Sequence, residues 1–222
     1  MAQLRIFTDF DGTISQTDSL VWLLDRYIGP SWLEIEERVE NGSLSEEEGL
    51  RAEVSLLKAP LAQARDLVLA HVPLDPSFAG FASYCRSRDW PLEIISGGLA
   101  PLIRALLARA GLADLPLACN DLAFDEDGHW RVVPASSPRI NELCNHCKSH
   151  WLVAAKRAGE RIVYIGDGTT DRCPAGHADL LFAKGGLREW CARRSLPHQP
   201  FEHFAGIQAW FETKAGRQWL AG

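Results

Sequence analysis

Apolar residues along this chain fall into two kinds of segment. Short, nearly continuous apolar runs predict buried β-strands, and the longer stretches between them carry apolar residues at helical spacing. The predicted strands are 3–9, 91–95, 115–119, 161–165 and 179–183, and the predicted helices are 99–110, 146–158, 171–177, 186–195 and Phe204 to Leu220. Their alternation predicts an α/β fold, a Rossmann-like doubly wound parallel sheet with helices on both faces.

One segment departs from this alternation. It has no strand pattern and contains four helical stretches: Ser19 to Tyr27, Trp32 to Glu40, Ser45 to Leu57 and Leu61 to His71. We therefore expect an α/β core of residues 1–16 and 78–222, with a helical cap of residues 17–77 inserted after the first strand. Further along, the pair Asp127-Gly128 between alternating segments predicts a small β-hairpin from Leu122 to Val133 beside the sheet.

Two carboxylates follow the first predicted strand, in the sequence Asp9-Phe10-Asp11-Gly12-Thr13. Such a pair suits phosphoryl transfer, because one carboxylate can attack phosphorus while the other protonates the leaving oxygen. A loop that only caps a helix would explain one acid but not the pair.

Three further motifs follow in order. Ser96 and Gly97 end a predicted strand, where a hydroxyl and backbone N–H groups can bind an anion. Lys148 opens a helical stretch, and Asp167 and Asp171 form a second carboxylate pair after another strand. Because the carboxyl ends of parallel strands share one edge, we expect all four motifs to meet in one crevice.

Together the four motifs resemble the signature of the haloacid dehalogenase superfamily, over essentially the whole chain. The resemblance implies a phosphatase in which Asp9 is the nucleophile and Asp11 is first the general acid and then the base. It also implies that Ser96, Lys148 and the backbone N–H of Gly97 hold the phosphoryl group. Hydrolysis is favoured because the P-type ATPases of that superfamily carry Thr at the second acid and its dehalogenases lack the acid.

A carboxylate that attacks a phosphoryl dianion needs a cation nearby, and Mg²⁺ suits oxygen ligands of this kind. The resemblance places Mg²⁺ on the carboxylates of Asp9 and Asp167 and on the backbone carbonyl of Asp11. Asp171 is expected either to support these ligands or to bind through water. The competing interpretation for Asp167 and Asp171 is local capping of a helix N-terminus.

Within that superfamily the chain resembles the phosphoserine-phosphatase-like branch, whose helical insertion is a mobile cap. The narrower resemblance is to the 2-hydroxy-3-keto-5-methylthiopentenyl-1-phosphate phosphatases of methionine salvage, through runs such as Gly29-Pro30-Ser31-Trp32 and Cys144-Asn145-His146-Cys147-Lys148. In the cap we expect Arg51 to contact a polar or anionic substrate group, with Glu47 or Glu48 as the partner of an amine. Phosphoserine and phosphoethanolamine or phosphocholine remain alternative substrates.

Composition narrows the possible partners. A net charge of −6 gives no electrostatic reason to bind nucleic acid or an anionic membrane, and no apolar run approaches membrane-spanning length. Of the six cysteines, only Cys144 and Cys147 lie close together in the sequence. A zinc site would need a second pair of ligands at a similar spacing, and the sequence has none. We therefore expect reduced thiols in a cytoplasmic protein. We expect a monomer or homodimer that acts on a small phosphomonoester. Two other classes stay open: an idle phosphometabolite-binding regulator, and a zinc- or thiol-dependent activity.

Overall fold

A seven-stranded sheet forms the centre of the protein, for which a computed structural model describes residues 3–135 and 147–222. The order across the sheet is β4-β3-β2-β1-β5-β6-β7, and every neighbouring pair is parallel except β3 and β4. These strands are β1 Leu4–Thr8, β2 Leu92–Leu99, β3 Leu117–Phe124, β4 Trp130–Val133, β5 Arg161–Gly166, β6 Leu180–Ala183 and β7 Gln199–Pro200. The strand order reverses beside β1, which is where sheets of this kind form their ligand crevice.

Helices account for most of the remaining described chain. None of the described helices is long and apolar enough to cross a membrane. Two 3₁₀ turns, Gly29–Trp32 and Thr169–Asp171, join or precede helices. The α-helices in the described ranges are α1 Ser19–Tyr27, α2 Leu33–Glu40, α3 Glu46–Ser55, α4 Leu61–His71, α5 Phe78–Ser87, α6 Ala100–Arg109, α7 Lys148–Arg157, α8 Arg172–Ala175, α9 Gly185–Arg193, α10 Phe204–Glu212 and α11 Lys214–Ala221.

The sheet is packed on both faces, as a parallel sheet requires. Successive residues of β1 point to opposite faces. Ile6 therefore joins the larger hydrophobic cluster with Phe81 of α5 and Phe211 of α10, whereas Phe7 joins a second cluster with Leu152 of α7. The predicted doubly wound α/β architecture is confirmed.

Two predictions about elements need correction. The single closing helix predicted from Phe204 to Leu220 is wrong, because the chain breaks into α10 and α11 at Thr213, whose ψ of 165° is extended. The Thr213 hydroxyl then caps α11 by accepting a hydrogen bond from the backbone N–H of Gly216 at 3.0 Å. Helix α5 lies where no element was predicted from the sequence.

Four helices, α1 to α4, occupy the chain between β1 and α5. The chain enters and leaves this segment side by side, since Ser15 and Leu74 form an antiparallel bridge and the N–H of Asp75 donates to the carbonyl of Ile14 at 2.7 Å. The division into a core and a cap at residues 17 and 77 stays a prediction.

The hairpin predicted around Asp127-Gly128 is confirmed, with β3 and β4 antiparallel. It also binds the cap segment. Trp130 is fully buried, and its backbone N–H donates to the carbonyl of Leu57 at 2.9 Å while its indole N–H donates to that of Ala59 at 2.8 Å. His129 places Nδ1 3.0 Å from the carbonyl of Ser55. The carboxyl end of α3 is thus attached to the edge of the sheet.

We expect Trp130→Phe to lower stability by about 1–3 kcal/mol, because it leaves a buried carbonyl without its donor. A loss of this size lowers the melting temperature by about 2–4 °C per kcal/mol in a chain of this length. Thermal unfolding followed by circular dichroism measures it.

Trp151→Phe is the matched control, because the buried indole N–H of Trp151 has no acceptor among the described residues. Its removal should leave the melting temperature unchanged or raise it. Equal losses in the two variants would show that ring size, and not the hydrogen bond to Ala59, sets the effect.

Candidate active site

The residues singled out from the sequence come from the carboxyl ends of neighbouring strands. Asp9 directly follows β1, Asp167 directly follows β5, and Ser96 lies in β2. Lys148 is the first residue of α7. Because β2, β1 and β5 are adjacent in the sheet, these side chains meet at one edge of it.

A single ammonium group joins the motifs. Nζ of Lys148 lies 2.7 Å from Oδ1 of Asp9, 2.7 Å from Oδ1 of Asp171 and 3.0 Å from Oγ1 of Thr170. The lysine side chain is only 1% exposed. Burial by itself would lower the pKa of Lys148, but the carboxylates of Asp171 and Asp9 outweigh it and raise that pKa, so the lysine is charged.

Asp171 is a carboxylate with all its acceptor capacity used. Oδ1 accepts hydrogen bonds from Lys148 and, at 2.6 Å, from the hydroxyl of Tyr164. Oδ2 accepts from the backbone N–H groups of Asp167 at 2.9 Å and Gly168 at 3.0 Å. Burial acts to raise the pKa of Asp171, yet Lys148 and these donors hold it below its usual value. Asp171 therefore fixes the loop that carries Asp167.

Three carboxylates lie close enough to share a cation. Asp9, Asp167 and Asp171 each offer an oxygen within 4.8 Å of the others. Burial, and then the negative charge of Asp171, raises the pKa of Asp9 well above its usual value and that of Asp167 to about 6. A divalent cation would relieve this repulsion, and the donor set is all oxygen, which suits a hard ion. The hydroxyl of Thr13 donates to Asp167 and so orients one of the oxygens.

Asp11 behaves differently from its neighbours. It accepts a hydrogen bond from the backbone N–H of Ser19 at 2.8 Å. Burial, followed by the charge of Asp18, raises the pKa of Asp11 to about 7. Near neutral pH this carboxyl can therefore both give and accept a proton, which is the property that a general acid–base group needs.

The Ser-Gly-Gly motif is an irregular part of β2. The register between β2 and β3 shifts between Ile95 and Leu99, and the hydroxyl of Ser96 accepts a hydrogen bond from the N–H of Gly98 at 3.0 Å. The side-chain amide of Asn120 donates to the carbonyl of Gly97 at 2.7 Å and holds the turn. Any side chain at Gly98 would collide with the carboxylate of Asp11, so the motif packs directly against that acid.

The two cap residues chosen from the sequence have local partners. Arg51 is exposed and donates to Oε1 of Glu47 at 2.9 Å. Glu48 completes a capping box, because Oε2 accepts from the backbone N–H of Ser45 at 2.9 Å. Their substrate contacts stay predictions, as do the catalytic and metal-binding roles assigned above.

A different cap residue lies within the electrostatic reach of the motifs. Glu46, half-buried at the start of α3, lies within the electrostatic reach of Lys148 and Arg172. Burial raises the pKa of Glu46, and those two cations oppose the shift. Asp18, which caps α1 through the N–H groups of Leu20 and Val21, is the second acid on this side. A Thr-Asp-Ser cap signal marks Asp18 in the sequence, but nothing there shows that it faces Asp11.

Part of one sequence hypothesis lies outside the described residues. Cys144 and His146 belong to the undescribed range, and only Cys147 of that cluster is described, as a buried residue. A thiol- or zinc-dependent activity at this cluster therefore stays a hypothesis.

Several known proteins are similar to this chain in sequence or in fold. A family model described as haloacid dehalogenase-like hydrolase matches residues 6–175. The 2-hydroxy-3-keto-5-methylthiopentenyl-1-phosphate phosphatase of Brevibacillus brevis is 31% identical over 207 residues, covering 92% of this chain and 93% of its own length. Polyol phosphate phosphatase PYP1 of Saccharomyces cerevisiae is 28% identical, covering 94% and 92%. The solved phosphoserine phosphatase of T. onnurineus aligns with a TM-score of 0.70 at 15% identity, over 96% of both chains.

The chain belongs to the haloacid dehalogenase-like hydrolases. The predicted enzyme class, a phosphatase, is confirmed by the family and by its named relatives. The likeness to the T. onnurineus structure supports the fold.

We expect Asp18→Asn to lower the pKa of Asp11 from about 7, because the substitution removes the negative charge that, after burial, raises this pKa. Asn at position 18 still caps α1, so the helix should be preserved. Carboxyl ¹³C chemical shifts recorded across a pH titration measure the change directly.

Asp66→Asn on the exposed face of α4 is the control and should leave the Asp11 titration unchanged. A titration midpoint that is the same in Asp18→Asn and in the wild-type protein would show that burial alone sets the ionisation of Asp11.

Proposed function

We propose that the protein is a Mg²⁺-dependent phosphomonoester hydrolase that acts through an aspartyl-phosphate on Asp9. The observation that carries the proposal is the buried Lys148 ammonium held between Asp9 and Asp171, with Asp11 and its pKa of about 7 beside it. One acid is thereby held next to a fixed positive charge while the other is poised to exchange a proton.

In the first half-reaction, a carboxylate oxygen of Asp9 forms a bond to phosphorus as the bond from phosphorus to the leaving oxygen breaks. The leaving oxygen takes the electron pair and receives the proton of Asp11. The products of this step are the free alcohol and a phosphoryl group on Asp9.

In the second half-reaction, Asp11, now ionised, accepts a proton from water whose oxygen attacks phosphorus. The bond between phosphorus and Asp9 breaks, inorganic phosphate forms, and both acids return to their starting states. A group with a pKa near 7 serves in both directions at neutral pH.

Several groups compensate the negative charge of the phosphoryl group that is transferred. Lys148 Nζ and the Ser96 hydroxyl bind phosphoryl oxygens, together with the backbone N–H of Gly97. Asp9, Asp167 and the backbone carbonyl of Asp11 would hold Mg²⁺, with Asp171 supporting the loop of Asp167. The ion would supply positive charge that lets a carboxylate approach a phosphoryl dianion.

The cap side of the site favours a substrate without a carboxylate. Asp18 and Glu46 both lie within the electrostatic reach of Lys148. Glu53, which lies within the electrostatic reach of Asp18, adds a neutral carboxyl, because burial and then Glu36 raise its pKa to about 8. A substrate carboxylate, as in phosphoserine, would meet like charge there. Hydroxyl, keto and thioether groups would not, which supports 2-hydroxy-3-keto-5-methylthiopentenyl-1-phosphate, the substrate named for the Brevibacillus brevis relative.

A second candidate substrate class is a polyol phosphate, as named for the Saccharomyces cerevisiae relative. The same acids favour it, since carboxylates accept hydrogen bonds from hydroxyl groups. The methionine-salvage role and the cytoplasmic location belong to the first candidate and are part of the proposal. A catalytically idle regulator would bind these phosphates without turning them over.

We expect Asp9→Asn to abolish Mg²⁺-dependent phosphate release, by a factor of about 10⁴ or more, because the nucleophile is lost. Beryllofluoride should form an adduct with the wild-type protein at Asp9, detected by ¹⁹F NMR, and not with the variant. Asp66→Asn, on the exposed face of α4, is the control and should keep full activity. Retained turnover in Asp9→Asn, or its loss in Cys147→Ser with Asp9 intact, would move the chemistry away from this site.

We expect kcat/KM for 2-hydroxy-3-keto-5-methylthiopentenyl-1-phosphate to exceed that for phosphoserine by about tenfold or more, a difference of about 1.4 kcal/mol. Glu46→Gln should narrow this ratio, because it removes a negative charge that faces the substrate. Steady-state rates across the two substrates and glycerol phosphate measure it.

Glu34→Gln, at an exposed position of α2, is the matched control and should leave the ratio unchanged. A ratio that does not respond to Glu46→Gln would show that the cap acids do not select the substrate.

A further inference from the structure

A second lysine, Lys184, contacts the loop that carries the first pair of acids. Lys184 directly follows β6 and is half-buried. Its Nζ donates a hydrogen bond to the backbone carbonyl of Thr13 at 3.0 Å and lies 5.3 Å from the centre of the Phe201 ring. Burying an ammonium group is costly unless hydrogen bonds and opposite charges compensate it, and here the Thr13 carbonyl accepts the hydrogen bond.

The contact joins three loops. Thr13 belongs to the loop after β1 that carries Asp9 and Asp11, and its hydroxyl donates to the carboxylate of Asp167 after β5. The backbone of Lys184 binds the same region, since its N–H donates to the carbonyl of Gly166 at 3.2 Å. The chain from Lys184 through Thr13 to Asp167 therefore ties the ends of β6, β1 and β5 together.

Helix α9 strengthens this arrangement. The backbone N–H of Leu187, in its first turn, donates to the carbonyl of Asp167 at 2.7 Å. Gly185 has a φ of +51°, and a Cβ there would lie only 3.1 Å from the same carbonyl. The segment that begins at Lys184 is thus packed directly on the backbone of Asp167.

We propose that Lys184 is a positioning residue, which holds the Thr13 carbonyl so that Asp9 and Asp167 present their oxygens to one divalent cation. The proposal rests on the hydrolase function proposed above. Lys148 bonds directly to Asp9, whereas Lys184, within the described chain, bonds to neither carboxylate and acts through Thr13.

If the role of Lys184 were purely electrostatic, its removal would change cation affinity in the opposite direction. The charges of Asp167, Asp75, Glu202 and Asp9 all act on Lys184. If Lys184 only neutralised these acids, its removal would leave the site more negative and tighten cation binding. If it positions Thr13, its removal loosens the arrangement of oxygens and weakens cation binding. Cation affinity therefore separates the two roles.

The test measures Mn²⁺ binding by the loss of the free-ion EPR signal, without turnover. We expect Lys184→Met to raise the Mn²⁺ dissociation constant about tenfold, the scale of one lost hydrogen bond to a charged donor. Lys184→Arg, which keeps a charged donor, should recover part of the affinity. Lys156→Met is the control for the loss of one lysine charge, because Lys156 is exposed and pairs with Asp179 at 2.9 Å.

A double-mutant cycle tests the route through Thr13. Thr13→Val removes the hydroxyl that orients Asp167, so Lys184→Met should add little to it, whereas independent effects would multiply. In a panel of phosphomonoesters, kcat at saturating Mg²⁺ should fall with little change in KM.

Several outcomes would overturn the proposal. Unchanged or tighter Mn²⁺ binding in folded Lys184→Met would do so, as would full additivity with Thr13→Val. Thermal unfolding confirms that each variant is folded, and Lys184→Gln replaces Lys184→Met under the same criteria if the latter does not fold. A wild-type protein that binds no Mn²⁺ would contradict the hydrolase function itself, which separates the two failures.

Discussion

Repulsion among buried carboxylates is the constraint on which the rest of the site depends. Asp9, Asp167 and Asp171 offer oxygens within 4.8 Å of one another, in a setting where burial opposes ionisation. The ammonium group of Lys148 compensates the charges of Asp9 and Asp171. Asp171 accepts four hydrogen bonds in all, one of them from Lys148. These hydrogen bonds require the backbone at the end of β5 to lie close to the carboxylate of Asp171. A side chain at Gly166 would collide with the carboxylate of Asp171, so glycine is required at the end of β5.

The sequence predicted the placement of the acids well, because that placement follows from topology. Asp9 and Asp167 end adjacent parallel strands, and strand ends share an edge whatever the intervening chain does. The contacts of Lys148 were beyond prediction in detail, since 139 residues separate it from Asp9. The satisfied state of Asp171 depends on the hydroxyl of Tyr164, which the strand pattern marks only as a buried aromatic residue.

The cap was harder to interpret for a physical reason. Helical periodicity shows that α3 has a buried face, but consecutive glutamates at its start point in different directions. The capping box turns Glu48 back to Ser45, and an i, i+4 pair with Glu47 holds Arg51 at the surface. Glu46 is the one of the three that lies within the electrostatic reach of Lys148. Which of three adjacent acids faces a site depends on the packing of the whole helix, and the sequence does not contain that information in readable form.

The attachments of the cap segment also constrain how it can move. Trp130 binds the turn after α3 by two hydrogen bonds, and the Ser15–Leu74 bridge holds the entering and leaving chains together. A movement that preserves these contacts has to pivot about them. The amino end of α3, which carries Glu46, lies a ten-residue helix, about 15 Å, from the turn that Trp130 binds. A pivot would therefore move Glu46 more than it moves the residues that Trp130 holds.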